Sequence, residues 1–201
     1  LVVHSNDIGP ENVIPQLKKA GVNLKVFGGA NTIDSAKLLL KQLGGFFGVE
    51  PKADSIIKQM DADMQKVYET QKNIKDTPSV MIIHFGRASN IYFVMSGRNG
   101  VGDKMIALAG GKTAKYEAKG AKEISAEAVA QANPDIIIAT DYGYDRMGSI
   151  EKFKSIPGVA LTNAAKNNRI YRFEEHDLIY FGPRTGGNIL KLINILHASS
   201  K

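Results

Sequence analysis

Pro51 to Lys75, PKADSIIKQMDADMQKVYETQKNIK, is the stretch on which the reading of the whole chain turns. Ala53, Ile56, Ile57, Met60, Met64, Val67 and Tyr68 recur at three- and four-residue intervals, the spacing of one apolar stripe on a helix opened by proline. At 1.5 Å per residue such a helix is roughly 35 Å long, enough to cross a small domain. Shorter α/β patterns flank it on both sides. The stretch therefore predicts a spine joining two lobes, with a ligand in the cleft between them; an amphipathic surface helix of a single domain fits the same pattern.

Upstream, Thr32 is placed to cap a helix through Leu38, Leu39, Leu40, Leu43 and Phe47, with Gly48 as its stop. Gly44 and Gly45 weaken its last turn by about 1 kcal/mol each relative to alanine. Before it, Leu1 to His4 and Leu24 to Phe27 read as strands around a helix from Pro10 to Ala20. Two parallel strands cannot cover both faces of a sheet. The expectation is that upstream residues complete this sheet, or that a second copy does so by self-association. The chain opens on Leu1 rather than Met, which reads as a fragment entered partway along a strand.

Downstream, Pro78 biases Thr77 away from helix and marks a boundary. Strands are predicted at Val80 to Phe85, Ile91 to Met95, Asp135 to Thr140 and Arg169 to Phe173. Helices are predicted at Val101 to Ala109, Ser125 to Ala132, Ser149 to Lys154 and Gly182 to His197, the last with Ile189, Leu190, Ile193 and Leu196 inward. Such alternation means a mostly parallel sheet with helices on both faces. The predicted division is 1–31 for part of a first α/β lobe, 32–77 for the helical segment and 78–201 for a second α/β lobe.

The chain has 201 residues, 43% of them hydrophobic, a formal charge of +6 and a pI near 9.4. Its lysines are scattered among acidic residues without a run of like charge, which speaks against nucleic acid as a partner. No stretch approaches the length of a membrane span. With no cysteine, disulfides and thiolate metal sites are excluded.

Ser96 to Lys104 follows a strand and opens a helix, as an anion-binding turn would, but Asp103 stands where a phosphate loop needs lysine after Gly102. A tight turn and an anion contact at Arg98 are both compatible with it. His4, His84, His176 and His197 show no metal-ligand spacing, and Glu174-Glu175-His176-Asp177 reads as a solvated acidic turn in preference to a metal site. A Gly-x-Ser-x-Gly elbow is missing, so positive signs of catalysis are lacking. Tyr142 and Tyr144 follow the buried strand at its carboxyl end, in a predicted loop over Asp141 to Arg146 where open α/β sheets place ligands, and either stack on a flat ligand or cap the core. Phe181-Gly182-Pro183-Arg184-Thr185 sets a guanidinium at a helix start, either as an anion contact or as structural capping.

Taken with this order of elements, Ile124-Ser125-Ala126-Glu127-Ala128-Val129 followed by Asn133-Pro134-Asp135-Ile136-Ile137-Ile138 resembles the second-lobe segment of substrate-binding proteins of ABC importers. These carry haem, cobalamin or ferric siderophores between two α/β lobes joined by one long helix. Gly97-Arg98 before Ala109-Gly110-Gly111, and the Phe181 to Thr185 motif, are similar to the haem binders in particular.

The resemblance implies a periplasmic or lipid-anchored extracytoplasmic protein, not an enzyme, that carries haem to a membrane permease. It implies Arg184 facing the cleft near the porphyrin and Glu127 as the carboxylate that docks on the permease; Arg98 or Arg87 as further propionate or rim contacts, and Tyr142 and Tyr144 as stacking contacts, are candidates for a site that holds a flat dicarboxylate. The family's first strands, its second docking glutamate and the tyrosine that usually binds haem iron have no counterpart here, so the axial ligand is expected outside this chain. A siderophore or cobalamin carrier, and less readily an α/β enzyme acting on a phosphate-bearing substrate, are the alternatives.

Overall fold

A computed structural model describes residues 1–5, 12–85, 92–94, 96, 100–116 and 125–198. Strand β1 (Val2–Ser5), helix α1 (Val13–Lys19) and β2 (Leu24–Phe27) form the predicted β-α-β unit, with β1 and β2 parallel and Val2 opposite Leu24. Helices α2 (Ile33–Phe47) and α3 (Glu50–Gln71) follow. Next come β3 (Ser79–Phe85), β4 (Tyr92–Val94), α4 (Val101–Leu108), β5 (Lys112–Thr113), α5 (Ala126–Ala132) and β6 (Ile136–Thr140). The chain continues through α6 (Asp141–Met147), α7 (Ile150–Lys154), α8 (Asn163–Lys166), β7 (Ile170–Phe173), α9 (Glu175–Ile179) and α10 (Thr185–Leu196).

The fold is α/β, with two sheets and a helical segment between them in sequence. The larger sheet runs β4-β3-β6-β7, with β5 beside the start of β3. All its pairings are parallel except β3–β4. The exception follows from chain length: only 86–91 separate β3 from β4, too few for the crossover a parallel pair needs.

Strand β6 is buried along its whole length, and alternation along β3 and β6 feeds two cores. Val80, Ile82, Ile136 and Ile138 face Met60, Met64 and Val67 of α3 with Met105, Ile189, Leu192 and Leu196 of α4 and α10. Met81, Ile83, Ile137 and Ala139 face Val129, Phe153 and Ala164 of α5, α7 and α8 on the other side. Both faces are thus covered by helices, as the continuous apolar run of β6 requires.

Helix α3 is held at both flanks by glycine. A Cβ on Gly44 of α2 would lie 2.6 Å from Ala53 Cβ, and one on Gly186 of α10 would lie 2.6 Å from Asp63 Cβ. Gly44 is therefore a packing contact as well as a weak helix former. Lys37 pairs with Asp61 across the same α2–α3 contact.

Several predicted boundaries shift. Helix α3 ends at Gln71, just before the stretch from Asn73 to Asp76 where the pattern predicts fraying, and Ile74 beyond it packs over Gly110, where an added Cβ would lie 2.8 Å from it. Tyr68, predicted on the apolar stripe, is 48% exposed. The loop expected at 141–146 is helix α6, and the expected acidic turn is α9. Helix α10 starts at Thr185, after a turn in which Gly182 N–H donates to Thr185 Oγ1 at 2.8 Å, so Pro183 lies before the helix and Arg184 at its N-cap.

Candidate ligand site at the carboxyl ends of the strands

Strands β3, β6 and β7 are mutually aligned, so they finish at one edge of the sheet. The residues reaching that edge form a connected polar cluster. His84 Nδ1 lies 2.9 Å from Thr140 Oγ1 and 3.2 Å from Glu175 Oε2. Asp141 Oδ1 accepts the Glu175 backbone N–H at 2.7 Å, tying the start of α9 to the start of α6. The Tyr142 ring stacks on His84 with centroids 6.0 Å apart, and the Arg146 guanidinium lies 5.7 Å from the Tyr142 centroid.

Around this cluster the charges are paired. Arg172 grips both oxygens of Asp145 through Nε and Nη2 at 2.6 and 2.7 Å and reaches Glu174 through Nη1 at 2.7 Å. These hydrogen bonds lower the Asp145 carboxyl below its usual range and raise the guanidinium above its already high value. Arg184 donates from Nε and Nη2 to Asp177 Oδ1 at 3.0 and 2.7 Å. Burial pushes the Asp177 carboxyl up, but the hydrogen bond and charge of Arg184, with help from Asn188 and Lys191, leave it below the ordinary value.

Asp177 lines two open cavities. One, of about 230 Å³, runs along His176, Tyr180, Pro183 and Arg184; the other, of about 380 Å³, runs along Arg172, Glu174, Lys191 and Asn194. Pockets for drug-sized ligands enclose about 300–1,000 Å³ and bury most of the ligand. The open form of both cavities suits the wall of a larger cleft better than a closed pocket.

Of the predicted site residues, Arg184 and Tyr142 belong to this edge, and both are exposed. Tyr144 instead rests on Phe153, with ring centroids 5.8 Å apart, beside the second core. Arg87 and Arg98 lie outside the described residues. Glu127 is exposed in the first turn of α5, capped by Ser125, and hydrogen bonds from its backbone N–H and from Ser125 hold its carboxyl below the usual value. A Cβ on Gly158 (φ +84°) would fall 2.2 Å from the Ala126 carbonyl oxygen, so that glycine fixes where this helix begins. His84, Asp141, Glu175 and Asp177 were not singled out as site residues from sequence. Their partners are distant in the chain, and only the strand ends of β3 and β6 hinted at them.

Two α/β units on either side of a long helix in sequence, with an open polar edge at the strand ends of the larger sheet, are the architecture expected of a two-lobed binding protein. The match to the family model described as periplasmic binding protein extends over residues 1–176, and the chain belongs to that family. That family is one of extracytoplasmic binding proteins.

A curated relative, described as the uncharacterized ABC transporter substrate-binding lipoprotein YvrC of Bacillus subtilis (strain 168), is 28% identical over 174 residues, 86% of this chain and 53% of that protein. The chain thus spans about half the length of that relative. Among solved structures, the apo form of the periplasmic haem-binding protein RhuT from Roseiflexus sp. RS-1 is 26% identical, with a TM-score of 0.86, over 100% of this chain and 76% of its own. The periplasmic haem-binding protein BhuT, in complex with two haems, has a TM-score of 0.84 at 24% identity over 97% of this chain and 74% of its own.

Proposed function

We propose that the protein is the substrate-binding component of an ABC importer and that it carries haem in a cleft between its lobes to a membrane permease. The observation that carries this reading is the likeness to RhuT, which extends over the whole chain. The chemistry of the strand-end edge supports it. Haem is a flat apolar disc with two carboxylates, so burial supplies most of its binding and cations at the rim orient it. Arg184 is the propionate contact on this reading, and Arg87 and Arg98 are further rim contacts. Tyr142 stacks beside the porphyrin, while Tyr144 supports α6 from the core side. Glu127 docks on the permease.

The test is a titration of the full-length polypeptide with haemin, followed in the Soret band. A saturable shift is expected. Unchanged spectra together with binding of cobalamin or a ferric siderophore would redirect the assignment to those cargoes.

A further inference from the structure

The Asp177–Arg184 pair joins two residues of unequal freedom. Asp177 is fixed: its side chain is 15% exposed, its backbone N–H donates to the Glu174 carbonyl at 3.1 Å, and its own carbonyl accepts from Asn188 Nδ2 at 3.3 Å. Arg184 is the opposite. Its side chain is 74% exposed and makes both of its hydrogen bonds to the one oxygen, Asp177 Oδ1. That contact uses the Nε–Nη2 side of the guanidinium. The Nη1–Nη2 edge points away from the acid and keeps the fork geometry that receives a carboxylate through two parallel hydrogen bonds.

We propose that Asp177 is a positioning residue for Arg184, holding its guanidinium so that the outer edge receives a carboxylate of the ligand. The inference rests on the haem reading for the identity of that carboxylate, a propionate, but not for the fixation of the arginine itself. An exposed arginine without such an anchor must be ordered when the ligand arrives. Ordering one long side chain beforehand corresponds to about a five- to tenfold gain in affinity.

The acid also has an opposing effect, because its charge partly cancels that of Arg184. Lys191, which also faces Asp177, offsets this by adding a second cation to the same acid. On this proposal fixation is the larger effect, and removing the acid weakens ligand binding.

The experiment combines two readouts on the unmutated protein, Asp177→Ala, Arg184→Ala and the double variant. The first is NMR of the Arg184 Nε–H, which reads fixation without any ligand. The second is titration with haemin and with haemin dimethyl ester, which lacks the free propionates. The expected result is a slowly exchanging Nε–H that is lost in Asp177→Ala. Haemin affinity should fall about five- to tenfold in that variant, with ester affinity unchanged and no further loss when Asp177→Ala is added to Arg184→Ala.

Equal or tighter haemin binding by Asp177→Ala, or an equal loss for the ester, overturns the proposal while leaving haem as cargo. Failure of the unmutated protein to bind haemin overturns the haem reading instead, and the Nε–H exchange then decides the positioning role alone.

Discussion

Replacing Gly186 by alanine tests whether α10 sits where it does because of the long helix. The added Cβ would lie 2.6 Å from Asp63 Cβ, 3.1 Å from the Asp63 carbonyl carbon and 3.2 Å from Met64 N. Two of these three are backbone atoms, so no side-chain rotation relieves the overlap. The helices must part by most of an ångström, loosening Met64, Ile189 and Ile193 in the core they share. Overpacking of this kind costs about 1–3 kcal/mol. For a chain of this size that corresponds to a fall in Tm of roughly 2–12 °C.

Gly187→Ala is the control. Its Cβ would meet nothing within 4 Å, and relief of the glycine penalty inside a helix should stabilise the protein by about 0.5–1 kcal/mol. Urea unfolding of both variants beside the parent protein measures the difference. Because Arg184 lies two residues before the contact, Gly186→Ala should also reduce haemin affinity. A Gly186→Ala variant as stable as the Gly187→Ala control would refute the close-packed α3–α10 contact and the positioning of Arg184 derived from it.

Further outcomes follow from individual contacts. Asp135 accepts the Ser79 N–H at 2.9 Å and the Ser79 hydroxyl at 2.7 Å, so Asp135→Ala should cost about 1–3 kcal/mol in denaturant unfolding. Burial raises the Asp135 carboxyl, but the Ser79 and Asn163 hydrogen bonds and the Lys112 charge leave it below the ordinary aspartate value of 3.8. Its contribution is therefore fully present above that value and is lost as pH falls through the lower folded one. The parent's advantage over Asp135→Ala should shrink only in that acid range; a gap that closes near neutrality would contradict the assignment. Gly158→Ala combines a positive φ with a 2.2 Å overlap on the Ala126 carbonyl and should lower Tm sharply, as differential scanning calorimetry would show. Glu127→Ala should leave the urea unfolding midpoint close to the parent's. It should reduce stimulation of the reconstituted transporter's ATPase, and undiminished stimulation would remove Glu127 from the docking surface.

Regular elements were legible wherever local pattern and local packing agreed. Thr32 and Gly48 bounded α2 because a cap and a left-handed stop act within a few residues of the helix they end. The all-apolar run of β6 read as a buried parallel strand because nothing but helices on both faces could satisfy it. Legibility failed where a distant partner overrode the local signal. Gly143, buried in the middle of α6, made a helix look like a loop. Gly44 and Gly186 carry no local sign that a second helix approaches them within contact distance.

The same reasoning explains why the polar edge was misread. Glu174, Glu175 and Asp177 look like a solvated turn because four polar residues in a row have no local reason to be ordered. In the fold each carboxylate is matched by a cation or imidazole from a different element: Arg172 of β7, His84 of β3 and Arg184 at the start of α10. A short helix of five residues has little intrinsic stability. Helix α9 is instead held by these ties and by Leu178 in the core. An acidic run flanking a strand end in an α/β chain is thus better judged by counting the basic and imidazole groups that the sheet topology brings to that end. Here the topology brings one for each acid of the run, which leaves the carboxylates engaged with the protein and the Arg184 side chain, though paired, exposed.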